Sequence, residues 1–577
     1  MLVVLAAGVV THDFVSVFNA TTPVLLPYEG RPLIYRVVVN YLKRFGGEVV
    51  VAVREGETRV EEFLRAAFGG RVDLFITRVA SAETASPTDT LKSALQDYSS
   101  KRPHDGAVLI VHGDIYFEDI AEALPREPTA YVAPFIESDK YSYFRVDGDG
   151  VTHCNLSRDE VTDAGEPELK TDIGAYWAPS IATLKAALTS SDKPSTVGGL
   201  FARTFPALKL CDQVVWCDLG HLDTATQIRT RLMGTREFNS LTIDERRGLL
   251  TKKSTRNTKL MQEINYYAQL PRPLSIYFPR MHEFSIGNSI SYSMEFYSYR
   301  TLSEYLVFFD LPERIWHRVL QSVLEIRKEF TAYAGETVSL NDHVQFYIGK
   351  LNARMGQLDP ESRIHEIVSR EAVIVNGQER RGWRAYLSEI EEIIVEMGAD
   401  YRATVVHGDL CFSNILYDPQ TSILKLIDPR GEFFREGCFG DPRYDLAKLL
   451  HSFHGGYDYI VHEMYELSVE PCNIAFTRFQ SRQSAQLGQS LLAWVAQKVE
   501  YPIRDLLVLE AMLFLSMLPL HGDDEKRQIA LYLTGIEILN EVLPCGSASI
   551  WTGPSASSEH LAHPTARSGH FQASLLS

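Results

Sequence analysis

The chain opens on a continuous apolar run, Met1–Ala7, that ends in Gly8 and is predicted as a buried strand. Pro32 to Phe45 then shows amphipathic helical spacing, Gly46-Gly47 stops it, and Val49–Val53 forms a second apolar run. Strand, loop, helix, strand is the start of an α/β unit, whose parallel sheet is covered on both faces and so needs unbroken apolar strands. The loop between Gly8 and Pro32 then falls at the carboxyl edge of the sheet, where such folds bind ligands. Two further runs end in acidic loops: Ala107–Val111 enters His112-Gly113-Asp114, and Val214–Cys217 enters Asp218-Leu219-Gly220.

No Pro/Gly-rich linker follows. A helix over Thr224–Leu232 precedes two extended runs, 238–244 and 248–254, which read as a hairpin around Glu245-Arg246-Arg247. Thr258–Tyr267 is helical in pattern, with Glu263 on one face. From Thr301 to about Met397 the spacing is mainly helical, as in Leu302-Tyr305-Leu306 and Trp316-Val319-Leu320-Val323. Leu506–Leu520 is apolar but too short to span a bilayer, so a core helix is expected. The segment from Gly546 to Ser577, rich in Ser, Ala, Gly, Pro and His, shows no apolar period and is expected to be a mobile or loosely docked tail.

Composition narrows the picture. At 577 residues two or three domains are expected, and 57 basic against 74 acidic side chains leave a formal charge of −17, which disfavours a large nucleic-acid footprint. Seven scattered cysteines without metal-ligand spacing point to a reducing compartment and away from structural zinc. The opening run has no basic flank and is soon interrupted by Gly8, Thr11, His12 and Asp13, so it reads as a strand and not a signal peptide. A cytoplasmic protein without a transmembrane segment is expected.

The densest chemistry lies in Val405-Val406-His407-Gly408-Asp409-Leu410-Cys411-Phe412-Ser413-Asn414-Ile415-Leu416 and in Leu424-Lys425-Leu426-Ile427-Asp428-Pro429-Arg430-Gly431. Two apolar runs each deliver an aspartate into a loop, and an Asn follows the first Asp by five positions. One carboxylate can orient a hydroxyl, while Asn414 and Asp428 offer hard oxygen ligands to a divalent ion on phosphates. The bland reading is turn capping. The paired motifs resemble the catalytic loop and metal-binding aspartate of the aminoglycoside phosphotransferase and choline kinase superfamily. That resemblance implies a bilobal protein-kinase-like fold, with Asp409 as catalytic base, His407 as a structural member of its loop, and Asn414 and Asp428 as Mg2+ ligands. It also implies a strand lysine held by a helix glutamate: Lys252 with Glu263, or Lys253, since adjacent strand residues face opposite ways. Tyr292–Phe296 resembles the interlobe hinge, with backbone groups near Glu295 available to adenine. Asp441 or Asp445 would support the catalytic loop. Tyr457, Tyr459, Tyr465 and Glu436 are candidates for an acceptor pocket between 452 and 540.

The first part carries a second resemblance. Leu5-Ala6-Ala7-Gly8, Leu25-Leu26-Pro27, Gly30-Arg31-Pro32-Leu33-Ile34, Gly113-Asp114, Asp172-Ile173-Gly174-Ala175-Tyr176 and Trp216-Cys217-Asp218-Leu219-Gly220 resemble the Rossmann-like nucleotidyltransferases that make nucleotide-sugars or CDP-choline. This implies Asp114 and Asp218 as Mg2+ ligands, Gly8 on the triphosphate loop and Gly174 facing the sugar; two turn-capping aspartates are the alternative. The chain departs from that pattern in having no Arg before Arg31 and no Lys before Lys43, so the usual clamp on the leaving pyrophosphate is absent. Thr88 could touch a base or serve as an N-cap, and Lys170 could meet a substrate phosphate.

The expected architecture is therefore α/β: a nucleotidyltransferase-like domain over 1–233, a kinase-like domain over 234–545, and a tail over 546–577. The expected function is ATP-dependent phosphorylation of a small alcohol or sugar, joined to nucleotidyl transfer from CTP or another NTP. Such a pair resembles enzymes supplying bacterial capsule or surface-polysaccharide precursors, with other enzymes of that kind as partners. The alternatives are a kinase with a noncatalytic first domain and a noncatalytic assembly scaffold.

Overall fold

The computed structural model describes residues 1–543 apart from 9, 19–21, 71, 81–85, 103–104, 120–124, 148–149, 157–168, 234–238, 255–256, 287–289, 310 and 399–400. The expected tail, Val9 of the first loop and Phe238 of the expected hairpin lie outside the described residues. Two compact units divide the chain, one holding Met1–Thr230 and one beginning at Arg231.

In the first unit the strands Leu74–Val79, Val49–Arg54, Leu2–Ala6 and Val108–His112 lie side by side in that order and run parallel. Leu169–Ala178 joins antiparallel to the last of them. The apolar strands are unbroken because side chains on both faces are buried: Val3, Leu5, Val50, Ala52, Val108 and Ile110 share one core with Leu91 and Leu95 of the Pro87–Lys101 helix, and Val4, Val51 and Val111 are buried on the other face. Each such Val, Leu or Ile side chain contributes roughly 1.5–3 kcal/mol by leaving water. Ser86, not Thr88, caps that helix, its Oγ accepting from the Asp89 N–H at 3.2 Å. Thr88 is instead buried and donates to the Pro194 carbonyl at 2.8 Å. A separate antiparallel ribbon pairs Ile115–Asp119 with Val214–Asp218, and its register, Asp218 opposite Ile115, sets Asp218 beside Asp114.

The second unit begins with the hairpin Asn239–Asp244 and Leu249–Ser254, extended by Ile290–Glu295 and Met281–Ile286 into a four-stranded antiparallel sheet. The Asn257–Gln269 helix packs on it through Leu260 and Ile264, against Ile290, Tyr292 and Met294. Beyond this, helices dominate, among them Glu313–Thr331, Pro442–Phe453, Ile503–Ser516 and Glu525–Val542. Leu506–Ser516 is buried on every side, packed against the Pro442–Phe453 and Glu525–Val542 helices, which is why its sequence carries no polar stripe. Among the described residues no helix is long and apolar enough to cross a membrane.

The stretch from 301 to 397 is mainly helical, as expected, but also holds strands, among them Ala334–Thr337 on Arg402–Val405. Ala372–Val375 and Gln378–Arg381 form a hairpin, joined in one sheet by Tyr465–Val469 and Ile474–Arg478. The Gln378–Arg381 strand shows no apolar alternation because no side chain on it is buried.

Candidate functional site

In the second unit the strand Arg402–Val405 leads into His407-Gly408-Asp409, and a single turn at Phe412–Asn414 starts the hairpin Ile415–Asp418 and Ile423–Leu426 that ends at Asp428. The hairpin register, Ile415 opposite Leu426, brings the two loop tips together, and the Ile427 N–H donates to the Asn414 carbonyl at 3.0 Å. Asn414 Nδ2 donates to both the backbone carbonyl and Oδ2 of Asp409, each at 2.9 Å. That use of the amide nitrogen leaves Asn414 Oδ1 as its remaining acceptor.

His407 ties the loops to each other. Its Nε2 lies 3.0 Å from the Ile427 carbonyl, its own carbonyl accepts from the Arg430 N–H at 2.9 Å, and burial lowers its pKa to about 4. The ring is therefore neutral near pH 7, with Nε2–H the donor. Asp445 holds the turn from beneath, accepting from the N–H groups of His407 at 2.8 Å and Gly408 at 2.7 Å. Burial pushes Asp445 up to about 7 against those two bonds. Asp441 acts elsewhere, capping the Pro442–Phe453 helix and gripping the Arg443 guanidinium at 2.8 Å. Gly408 takes φ +76, and a Cβ there would run into the Phe433 ring.

On the sheet side, strand alternation separates the two candidate lysines: Lys252 is buried and Lys253 exposed. Lys252 Nζ donates to both oxygens of Glu263 at 2.9 Å and to Asp428 Oδ1 at 3.0 Å. Tyr292 adds a hydrogen bond to Glu263 at 2.7 Å. Burial alone would lower the lysine's pKa; the Asp428 and Glu263 carboxylates outweigh it and raise it. Burial, with Asp428 nearby, pushes Glu263 up to about 7. Asp428 itself sits at φ +54, a conformation rare outside glycine that surrounding structure must hold in place. Gly431 is required sterically, since a Cβ there would meet the Gln262 carbonyl of the Asn257–Gln269 helix.

At the expected hinge, the N–H of Glu295 donates to the Arg280 carbonyl at 3.0 Å and that of Phe296 to Gly248 at 2.8 Å. Both donors are thus taken within the protein and are not open to a base. Glu436 is exposed and accepts from Asn265 at 3.4 Å, and Tyr459 donates to the Leu306 carbonyl at 3.0 Å. Tyr465 lies on the Tyr465–Val469 strand, and Tyr457 packs on His451 with ring centroids 4.3 Å apart. Cys411 is buried and its thiol pushed up by that burial, so it is a packed side chain.

Sequence reasoning missed Lys448. Its ammonium lies 2.9 Å from Asp409 Oδ1, on the oxygen opposite the one Asn414 holds. Burial alone would raise the Asp409 pKa; Lys448 outweighs it and holds the carboxyl down at about 2. The available signal was spacing, since Lys448 follows Asp445 by three positions and shares a helix face with it.

In the first unit Asp114 packs on Gly220 so tightly that a Cβ at 220 would collide with its carboxyl group. Asp218 accepts from the Gly220 N–H at 2.7 Å and from Tyr141 at 2.8 Å, with His221 Nδ1 at 2.5 Å. Burial and the Asp218 carboxylate raise Asp114; burial would also raise Asp218, but His221 outweighs it and keeps Asp218 low. Gly174 takes φ +78 with the His112 ring against it, and Asp172 is held by His153 at 3.0 Å and Tyr176 at 2.7 Å. Lys170 pairs with Asp212 at 3.6 Å. Gly8 is exposed, with open space where a Cβ would stand.

Arg54 is the second residue the sequence did not single out. Its Nη2 donates to the Gly8 carbonyl at 2.6 Å, which brings a guanidinium to the turn that lacked a nearby cation in sequence. The register explains it: Ala6 lies beside Val53 in the parallel pair, so Arg54, the next residue on that strand, arrives level with Ala7, one residue before Gly8.

Among the described residues no group of three or more His, Cys, Asp and Glu side chains is gathered for a metal. Each site instead offers two hard oxygen donors, Asn414 with Asp428 and Asp114 with Asp218. That suits Mg2+, which keeps few protein ligands and shares phosphate oxygens and water.

No protein-family model matches the chain, and no curated protein sequence matches it. Solved structures resemble its N-terminal part. A nucleoside-diphosphate-sugar pyrophosphorylase from Vibrio cholerae RC9 is 16% identical with a TM-score of 0.33, covering 40% of this chain and 99% of that one. The inositol-1-phosphate CTP transferase from T. maritima is 13% identical, TM-score 0.31, covering 40% and 95%. A UDP-glucose pyrophosphorylase from Acinetobacter baumanii is 13% identical, TM-score 0.31, covering 40% and 91%. Similarities of this size identify neither substrate nor activity for this chain.

Proposed function

We propose that the second unit is a small-molecule kinase of protein-kinase-like fold that transfers the terminal phosphoryl group of ATP to the hydroxyl of a small alcohol or sugar. The observation that carries this reading is the convergence of Lys252, Glu263 and Asp428 with Asp409 and Asn414. Lys252 would meet the donor phosphates, anchored by Glu263. Asn414 and Asp428 would hold Mg2+, which when bound draws negative charge from the phosphates. Asp409 would orient the acceptor hydroxyl and receive its proton as the new O–P bond forms and the bond to the ADP oxygen breaks. His407 and Asp445 keep the loop in shape and touch no reactant.

For the first unit the reading is nucleotidyl transfer from CTP or another NTP onto a phosphorylated small molecule, with Asp114 and Asp218 as the Mg2+ pair and Arg54 beside the triphosphate turn. Joined, the two steps would yield an activated surface-polysaccharide precursor. A second reading, a kinase with a noncatalytic first unit, is favoured by the absence of Arg before Arg31 and Lys before Lys43. Incubation with ATP, CTP, UTP and GTP and a library of small alcohols and sugars, followed by mass spectrometry, separates the cases. A phosphorylated acceptor and pyrophosphate together are expected; a phosphorylated acceptor alone selects the second reading, and neither product refutes both.

A further inference from the structure

Beyond Lys448, three more polar side chains gather near Asp409, and the mechanism above uses none of them. Tyr444 lies one helical turn before Lys448 on the Pro442–Phe453 helix. Its hydroxyl oxygen accepts from Arg430 Nη1 at 3.2 Å and from Lys350 Nζ at 3.5 Å. With two donors pointing into that oxygen, the phenolic O–H is left to donate outward. The ammonium of Lys350 stands 5.2 Å from the Phe346 ring centroid, and the Arg430 guanidinium lies over Phe346 and Phe433 at 5.6 and 5.4 Å. Aromatic rings thus wall the cations on one side and limit their screening by water.

The charge balance is uneven. Among the described residues neither Lys350 nor Arg430 forms an ion pair with a carboxylate, and Lys448 has Asp409 alone. Around Tyr444 three cations therefore stand with one anion. Burial would lower the Lys350 pKa, and Arg430 and Lys448 push it the same way. Such a cluster is repulsive as it stands and is relieved by an anion. Its position also distinguishes it from the nucleotide side: Lys448 binds Asp409 Oδ1, whereas Asn414, on the metal side, binds Oδ2. Lys350 enters the cluster directly after a π-helical turn at Gln345–Gly349, an irregularity that re-aims side chains and recurs at functional sites.

We propose that Lys350, Arg430 and Tyr444 form a recognition site for an oxyanion, a phosphate or carboxylate, carried by the alcohol whose hydroxyl Asp409 receives. This rests on the kinase reading and narrows its acceptor: an anionic alcohol is taken, and a polycationic aminoglycoside or choline is not.

The test is calorimetric titration of the full chain with orthophosphate and, separately, acetate, with Mg2+ and a non-hydrolysable ATP analogue saturating the donor site. At least one oxyanion is expected to bind alongside the analogue, and Lys350→Gln and Arg430→Gln are each expected to weaken it about tenfold or more, as loss of a charge-assisted hydrogen bond does. Lys253→Gln should leave it unchanged, and melting curves establish that the variants fold. Undiminished affinity in both folded variants, or displacement of both oxyanions by the analogue, overturns the proposal; in the second case the cations serve the donor phosphate. Phosphorylation of choline or kanamycin by the wild-type chain would also overturn it. Failure of the analogue to bind at all refutes the kinase reading itself, and the acceptor role with it, whereas analogue binding with undiminished oxyanion binding in the variants refutes only this inference.

Discussion

The two acidic centres of this chain solve the same electrostatic problem differently. In the second unit every carboxylate at the loop tips already has a cation: Lys252 bridges Glu263 and Asp428, and Lys448 holds Asp409. In the first unit Asp218 relies on His221 and neutral donors, and Asp114 is half-buried beside it with its pKa raised. A carboxylate pair whose one cationic partner is a histidine favours taking up a metal or a proton more than a set compensated by lysines does. The second centre is thus preorganised by its own charges, and the first is held by one histidine and neutral donors.

Four changes put that contrast at risk, beginning with the largest effect. Asp409→Asn is expected to cut phosphoryl transfer by about a thousandfold, with nucleotide affinity retained in a binding titration; turnover near wild type would remove Asp409 from the chemistry. Asp445→Ala leaves the His407 and Gly408 N–H groups buried without an acceptor, so a loss of about 3 kcal/mol is expected. Its gauge is the denaturant midpoint, and an unshifted midpoint would show that the loop does not depend on that carboxylate.

Arg54→Ala is expected to reduce NTP-dependent pyrophosphate release about tenfold while ATP-dependent phosphorylation is unaffected, since the guanidinium sits on the Gly8 turn and nowhere in the second unit. Equal pyrophosphate release would leave the triphosphate without the cation assigned to it. The smallest effect concerns pH. Burial would raise the Tyr444 phenol, but Lys350, Arg430 and Lys448 outweigh it and bring it down to about 8. The lowered pKa means the phenol is neutral below that point and anionic above it. With Lys350, Arg430, Lys448 and Asp409 the charged groups around it, orthophosphate affinity should fall severalfold as pH rises through about 8. Tyr444→Phe should lack that fall; an identical pH profile would clear the phenol of any part in anion binding.

Apolar runs and loop chemistry were legible in the chain itself. Continuous apolar strands covered on both faces, the Asp409-to-Asn414 spacing and the Glu263 helix face all follow from local periodicity, and the structure carries them as strands, a turn and a helix. Which lysine turns inward was undecidable locally, because alternation has two phases and only packing against Ile290, Tyr292 and Met294 selects one. Apart from the Lys252–Glu263 pair that the resemblance implied, the partners of the charged groups were equally hidden. Lys448 on Asp409, Arg54 at Gly8 and the Lys350, Arg430, Tyr444 cluster each join segments far apart in sequence, so their pairing is set by sheet register and helix docking. Periodicity acts over a few residues and dictates what each segment becomes. Electrostatic pairing acts through space, and only the folded chain determined which charges would meet.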